Sequence, residues 1–198
     1  MERSTITKTA LSQRPGWSPT LITRLLGEPD QRKKVAGMSN PLALYELGRV
    51  EQAEASPEFQ AAQAALERRK QAAAQATATK TERLLAAVAA MPVSVQRMSL
   101  AAVRARAIAR YNQREWSEGA SASDDPVFLD RITVNYIRHE LTQYDGALVE
   151  VAGQTGIQQA VDAIRARVYE AIADAYPMLA DECTRQLERK RLERSLMG

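Results

Sequence analysis

A mainly α-helical fold is what this 198-residue sequence predicts, on three observations. Hydrophobic residues make up 45% of the chain, enough to bury a core, yet Phe, Trp and Tyr together supply only 5% and alanine dominates the rest. Helices packed closely on small side chains suit that composition, whereas a sandwich or a doubly wound sheet needs dense Val and Ile runs. Helix caps followed by apolar residues at three- and four-residue steps then recur along the chain. The same composition excludes several chemistries. One cysteine, Cys183, leaves no internal disulfide or cysteine-rich zinc site, and a single histidine, His139, argues against histidine-based catalysis. No apolar run approaches about twenty residues and the N-terminus lacks an apolar signal core, so a soluble, cytoplasmic chain without membrane contact is expected.

Thr7 caps a short first helix reaching about Arg14, with Thr9, Ala10 and Leu11 turned inward, and Pro15-Gly16 breaks it. Ser18 caps a second, with Pro19 at the first helical position, an apolar face of Leu21, Ile22, Leu25 and Leu26, and Gly27 as a left-handed stop. Two short helices so joined form a helix-turn-helix-like pair; the same spacing also describes an ordinary helical hairpin. Thr20, Thr23 and Arg24 lie off the apolar stripe and face solvent or a ligand. The stretch from Glu28 to Pro41 is basic, rich in turn formers and too interrupted for a helix, so it reads as a loop or wing with Arg32, Lys33 and Lys34 at its tip. Leu42, Leu44 and Tyr45 form a short strand, and a helix follows from Leu47 to Ala55.

Ser56-Pro57-Glu58 opens a helix that nothing breaks before Ala90, about 50 Å at the usual rise. Between Leu66 and Leu84 its apolar residues are all alanine, giving high helix propensity with little to bury, as in a solvated connector. Pro92 ends it and residues 93–98 link to a helix capped by Ser99 and running to about Trp116, with an inner stripe of Leu100, Val103, Ala107, Ile108 and Tyr111. Arg106, Arg110 and Arg114 share one face of it without acids four residues away, so counter-charge comes from the acidic C-terminal helices or from nucleic acid. Residues 117–124 are a polar loop. Asp125-Pro126 starts a helix with Phe128, Leu129, Ile132, Tyr136, Ile137 and Leu141 at helical steps. His139 on it is read as a packed structural group. Gly146 and Gly153 loosen the next stretch, a helix opens near Gly156, Tyr176-Pro177 turns the chain, and a last helix carries Leu179, Cys183 and Leu187. The predicted organisation is an N-terminal module with a short wing or strand (1–55), a long helical connector (56–96) and a helical bundle (97–198).

The net charge of +3 is unevenly spread: +4 over residues 1–50, zero over 51–96, +4 over 97–117 and −5 over 118–198. A basic front and an acidic back place any polyanion on the first 117 residues. The run Ile6-Thr7-Lys8-Thr9-Ala10, then Asn40-Pro41, then Leu44-Tyr45 followed by Val50, resembles the central DNA-binding region of the xeroderma pigmentosum group A (XPA) repair proteins. More broadly it looks like the small DNA-binding domains of the MerR and excisionase class, and the whole chain is similar to an uncharacterised bacterial family with this N-terminal pattern. The likeness covers about residues 5–80. It implies DNA binding by the helix pair, the wing and the start of the long helix, with Lys8, Asn40, Tyr45 and Arg49 in that surface or its scaffold. The four-cysteine zinc finger of the repair proteins has no counterpart, Ala43 replaces the lysine before their Leu-Tyr, and the long helix is less basic.

The expected function is therefore non-catalytic nucleic-acid binding, in repair or gene regulation, without metal or cofactor. Its contacts are Lys8, Thr20, Thr23, Arg24, Arg32, Lys33, Lys34 and Arg49, with Arg106 and Arg110 as a second basic patch. The C-terminal bundle would serve a homodimer or a protein partner. The alternative is a helical structural or adaptor protein working through protein contacts. An enzyme would have to use Asp124, Asp125 and Asp130 with a divalent metal, and those acids look more like a charge cluster at a helix start.

Overall fold

The computed structural model describes residues 4–37, 40–114 and 119–196. Met38 and Ser39 of the predicted wing, Trp116 at the predicted helix end and Ser117 of the polar loop lie outside them. The fold is mainly helical: nine α-helices and one three-stranded sheet among the described residues. No helix there is long and apolar enough to cross a membrane. The chain divides into two compact units, Met1–Ala76 and Thr77–Gly198.

In the first unit β1 (Thr5–Thr7) leads into α1 (Lys8–Gln13) and α2 (Pro19–Leu25), followed by β2 (Gln31–Lys33), β3 (Leu42–Glu46) and α3 (Leu47–Glu54). The sheet order is β1-β3-β2, both pairs antiparallel, with Ile6 opposite Tyr45 and Arg32 opposite Ala43. Both short helices start where the sequence places them. The Thr7 hydroxyl accepts from Ala10 N at 3.2 Å, the Ser18 hydroxyl from Leu21 N at 3.2 Å, and Gly27 takes φ +61°. The sheet and helices close on Leu11, Trp17, Leu21, Ile22, Leu26, Tyr45, Val50 and Phe59. Thr9 and Ala10 do not turn inward; only Leu11 of α1 is buried, because a six-residue helix offers a single inward position to this core.

The helix α4 (Pro57–Ala90) contributes Phe59 to the first core and Leu84 and Val88 to the core of the second unit, while residues 66–78 are exposed. The predicted connector thus keeps its length, but both of its ends are core elements. The second unit continues with α5 (Leu100–Asn112), α6 (Pro126–Glu140), α7 (Tyr144–Val151), α8 (Ile157–Ala175), a 3-10 turn (Pro177–Leu179) and α9 (Ala180–Ser195). Val103, Val134, Ile137, Ile164, Val168, Ile172 and Leu179 form its centre. The extended stretch after α4 is fastened to it. Gln96 N donates to Leu141 O at 2.9 Å, and the buried Tyr176 hydroxyl accepts from Met98 N at 2.9 Å and donates to Met98 O at 3.1 Å.

In the second unit a predicted loose stretch is a helix. The stretch that Gly146 was expected to loosen is the helix α7, because Tyr144, Ala147 and Val151 recur at helical steps and are all buried, while Gly146 faces out. The burial of that stripe outweighs a glycine cost of about 1 kcal/mol. Cys183 packs in the same core, and burial pushes its thiol up to about 12.

Candidate nucleic-acid interface

Burial of Leu21, Ile22 and Leu26 fixes the rotation of α2 and leaves Thr20, Thr23 and Arg24 exposed. Lys8, the first residue of α1, comes to the same place: Lys8, Pro19, Thr20, Thr23 and Arg24 line one shallow depression. The Thr23 hydroxyl donates to Pro19 O at 3.1 Å, which aligns its oxygen along the helix. Arg24 Nε lies 3.0 Å from Glu58 Oε1 at the start of α4, both side chains being more than half exposed.

The other sequence-predicted cations divide. β2 is an edge strand, exposed along its length, and side chains alternate along a strand, so Arg32 and Lys33 point to opposite faces. Arg32 and Lys33 thus belong to a strand rather than to a loop tip, and of the three only Lys34 follows it in the loop. Arg32 Nη2 also meets Glu28 Oε2 at 2.8 Å, while Lys33 and Lys34 form no ion pair with a described residue. Arg49 belongs to the scaffold. Its guanidinium donates to Leu26 O, to Glu28 O at 3.2 Å and to Asp30, tying the end of α2 and the base of the wing to α3. Asp30 also accepts from Glu46 N at 2.8 Å; that bond foremost, with Arg49 beside it, holds its carboxyl below the ordinary range. Tyr45 is buried and Asn40 exposed.

Sequence reasoning missed a polar clasp in the same unit. Arg14 Nε and Nη2 donate to the two Glu54 oxygens, each at 2.9 Å, and Trp17 Nε1 donates to Glu54 Oε1 at 2.8 Å. The Arg14 hydrogen bond, helped by Trp17, keeps the Glu54 carboxyl below its ordinary value against the opposing effect of burial. The Trp17 ring stacks at 4.9 Å, tilted, on Phe59. The available signal was Glu54 itself, four residues after the buried Val50 and hence on the inner side of α3.

In the second unit Arg106 is exposed and forms no ion pair with a described residue. Arg110 pairs with Glu140 of α6 at 3.1 Å, Arg114 approaches the same carboxylate at 4.0 Å, and Arg104 pairs with Asp130 at 2.8 Å. Two carboxylates of α6, Asp130 and Glu140, thus supply counter-charge to three of the arginines of residues 104–114. Asp125 caps α6 by accepting from Phe128 N at 3.0 Å, and Asp124 accepts from Ser121 N at 3.0 Å. Among the described residues no three His, Cys, Asp or Glu side chains gather as metal ligands. His139 Nδ1 lies 2.8 Å from Asp145 Oδ1, and its Nε2 lies 2.9 Å from Arg138 Nη2. A guanidinium only donates, so Nε2 accepts and Nδ1 carries the proton shared with Asp145. Compared with protein-family models, curated proteins and solved structures, the chain matches none.

Proposed function

We propose that the first unit binds DNA without catalysing a reaction on it, in repair or in gene regulation, with α1 and α2 acting as a helix-turn-helix and the β2–β3 hairpin as a wing. The observation that carries this reading is the convergence of Lys8, Thr20, Thr23 and Arg24 on one exposed depression beside α2. Cations and hydroxyls on a short helix are the groups that meet phosphate oxygens and base edges in a groove. Lys33 and Lys34, uncommitted on the wing, add phosphate contacts. The Arg24–Glu58 pair opposes binding only weakly, since exposed ion pairs stabilise little. The resemblance to the XPA and MerR domains points the same way.

Binding of duplex, forked and single-stranded DNA at two salt concentrations tests this. Affinity should fall with salt, with a log–log slope of about −0.9 per neutralised phosphate on duplex. Lys33→Ala/Lys34→Ala should weaken binding to every sequence and flatten the slope by about one unit per lost contact. Arg24→Ala should cost about 1–3 kcal/mol and relax sequence preference if it reaches a base edge. Absence of salt-sensitive binding to any of the three DNA forms sinks the reading. A second reading, a structural or adaptor protein, is favoured by large apolar side chains exposed on the second unit: Val149 on α7, Leu192 on α9 and Leu196 just beyond it. It gains if the chain self-associates or captures a protein while showing no affinity for DNA.

A further inference from the structure

Between α5 and α6 lies a half-open cleft of about 280 Å³. Its floor is Ala107 and Ile132, both buried, and the alanine leaves the space that a longer side chain at this inward position of α5 would fill. Tyr111 and Tyr136 form the walls, one from each helix, and the Tyr111 and Phe128 rings meet at right angles with centroids 5.3 Å apart. On the rim stand Arg110 of α5, Arg114 just beyond the end of that helix, and Arg131 of α6. Against three guanidiniums the described residues of the lining offer one carboxylate, Glu140, already approached by two of them. Arg131 has no carboxylate partner among the described residues; its guanidinium sits over the Phe128 ring at 5.1 Å.

We propose that this cleft binds a nucleoside monophosphate, with the phosphate on Arg110, Arg114 and Arg131 and the base against Tyr111 and Tyr136. The size lies at the lower edge of small-molecule sites, which admits one nucleotide and not two. Planar guanidinium forks match the oxygens of a phosphate dianion, and three of them exceed what a single carboxylate ligand engages. Glu140 is displaced by such a dianion, because its pairs with Arg110 and Arg114 are partly exposed and weakly held. Tyrosine faces accept a stacked base without reading its identity. Every residue invoked belongs to the second unit, so this inference stands or falls separately from the DNA reading of the first unit.

Titration calorimetry on the full chain tests it, with adenosine 5′-monophosphate as the probe and adenosine and inorganic phosphate as separate arms. The expected result is saturable one-to-one binding of the nucleotide with a Kd of about 1 mM or tighter, and weaker binding of either part alone. Arg110→Ala/Arg131→Ala should weaken it about tenfold or more. Glu140→Gln should tighten it several-fold, because it frees two guanidiniums while removing no donor; this variant keeps the test decisive if the double arginine variant fails to fold. No saturable nucleotide binding by the wild type, or Glu140→Gln binding no more tightly, overturns the proposal. So does a single-stranded oligonucleotide that binds the wild type and not Arg110→Ala/Arg131→Ala while the nucleotide does not bind, since the cleft then serves a strand.

Discussion

Glu54 shows how much one side chain organises in the first unit. It gathers a guanidinium forty residues earlier in the chain and the indole N–H of buried Trp17 onto one carboxylate. Glu54→Ala leaves that indole donor without a partner, which should cost about 1–3 kcal/mol in chemical denaturation. The carboxyl is depressed below its ordinary value of 4.5 in the folded protein, so its contribution is fully present above that value and is lost as the pH falls through the lower folded value. Asp30 acts in the same direction from its own ordinary value of 3.8. Melting of the first unit between about pH 6 and pH 3 should therefore show a falling midpoint, and Glu54→Gln should flatten the fall; an unchanged profile would mean that the clasp does not contribute to stability. His139 is a structural residue of similar kind in the second unit. Its ring nitrogens are engaged by Arg138 and Asp145, and His139→Gln should shift stability by about 1 kcal/mol in a thermal melt. The Arg14–Glu54 clasp was not legible in the sequence, because its partners lie forty residues apart; for Arg110 the sequence pointed to the acidic C-terminal helices or to nucleic acid, but not to Glu140, thirty residues on.

Elements were legible where the signal is local. The hydroxyls of Thr7, Ser18 and Ser99 and the Asp125 carboxylate each accept from a backbone N–H three residues on, so a cap and the apolar spacing behind it sufficed to start α1, α2, α5 and α6. β1 was missed because three residues show no readable alternation, and it exists only through its pairing with β3. α7 was missed because Gly146 argues against a helix, while the packing of Tyr144, Ala147 and Val151 that decides the matter is tertiary. The same position yields a prediction. A Cβ on Gly146 would meet nothing within 4 Å, and its backbone is helical, so Gly146→Ala should raise stability by about 0.5–1 kcal/mol, measured by urea unfolding. A loss of stability would show that α7 requires the glycine.

At the scale of the whole molecule, α4 decides where the chain can be cut. Leu84 and Val88 belong to the core of the second unit, Val88 almost wholly buried, so a fragment of residues 77–198 should fold cooperatively and one of residues 97–198 should be less stable by several kcal/mol. Equal melting points for the two fragments would refute that assignment. The predicted boundary at residue 97 followed Pro92, a sound marker of a helix end; what it could not mark is the core, because the alanine-rich run before Leu84 hides the two apolar residues that matter. Cys183, sealed in the same core, gives the protein an internal clock. With its thiolate suppressed and its sulfur shielded, a thiol-alkylating reagent finds nothing to react with until the second unit opens. The rate at which the label accumulates under native conditions therefore counts opening events, without denaturant and from a single natural atom.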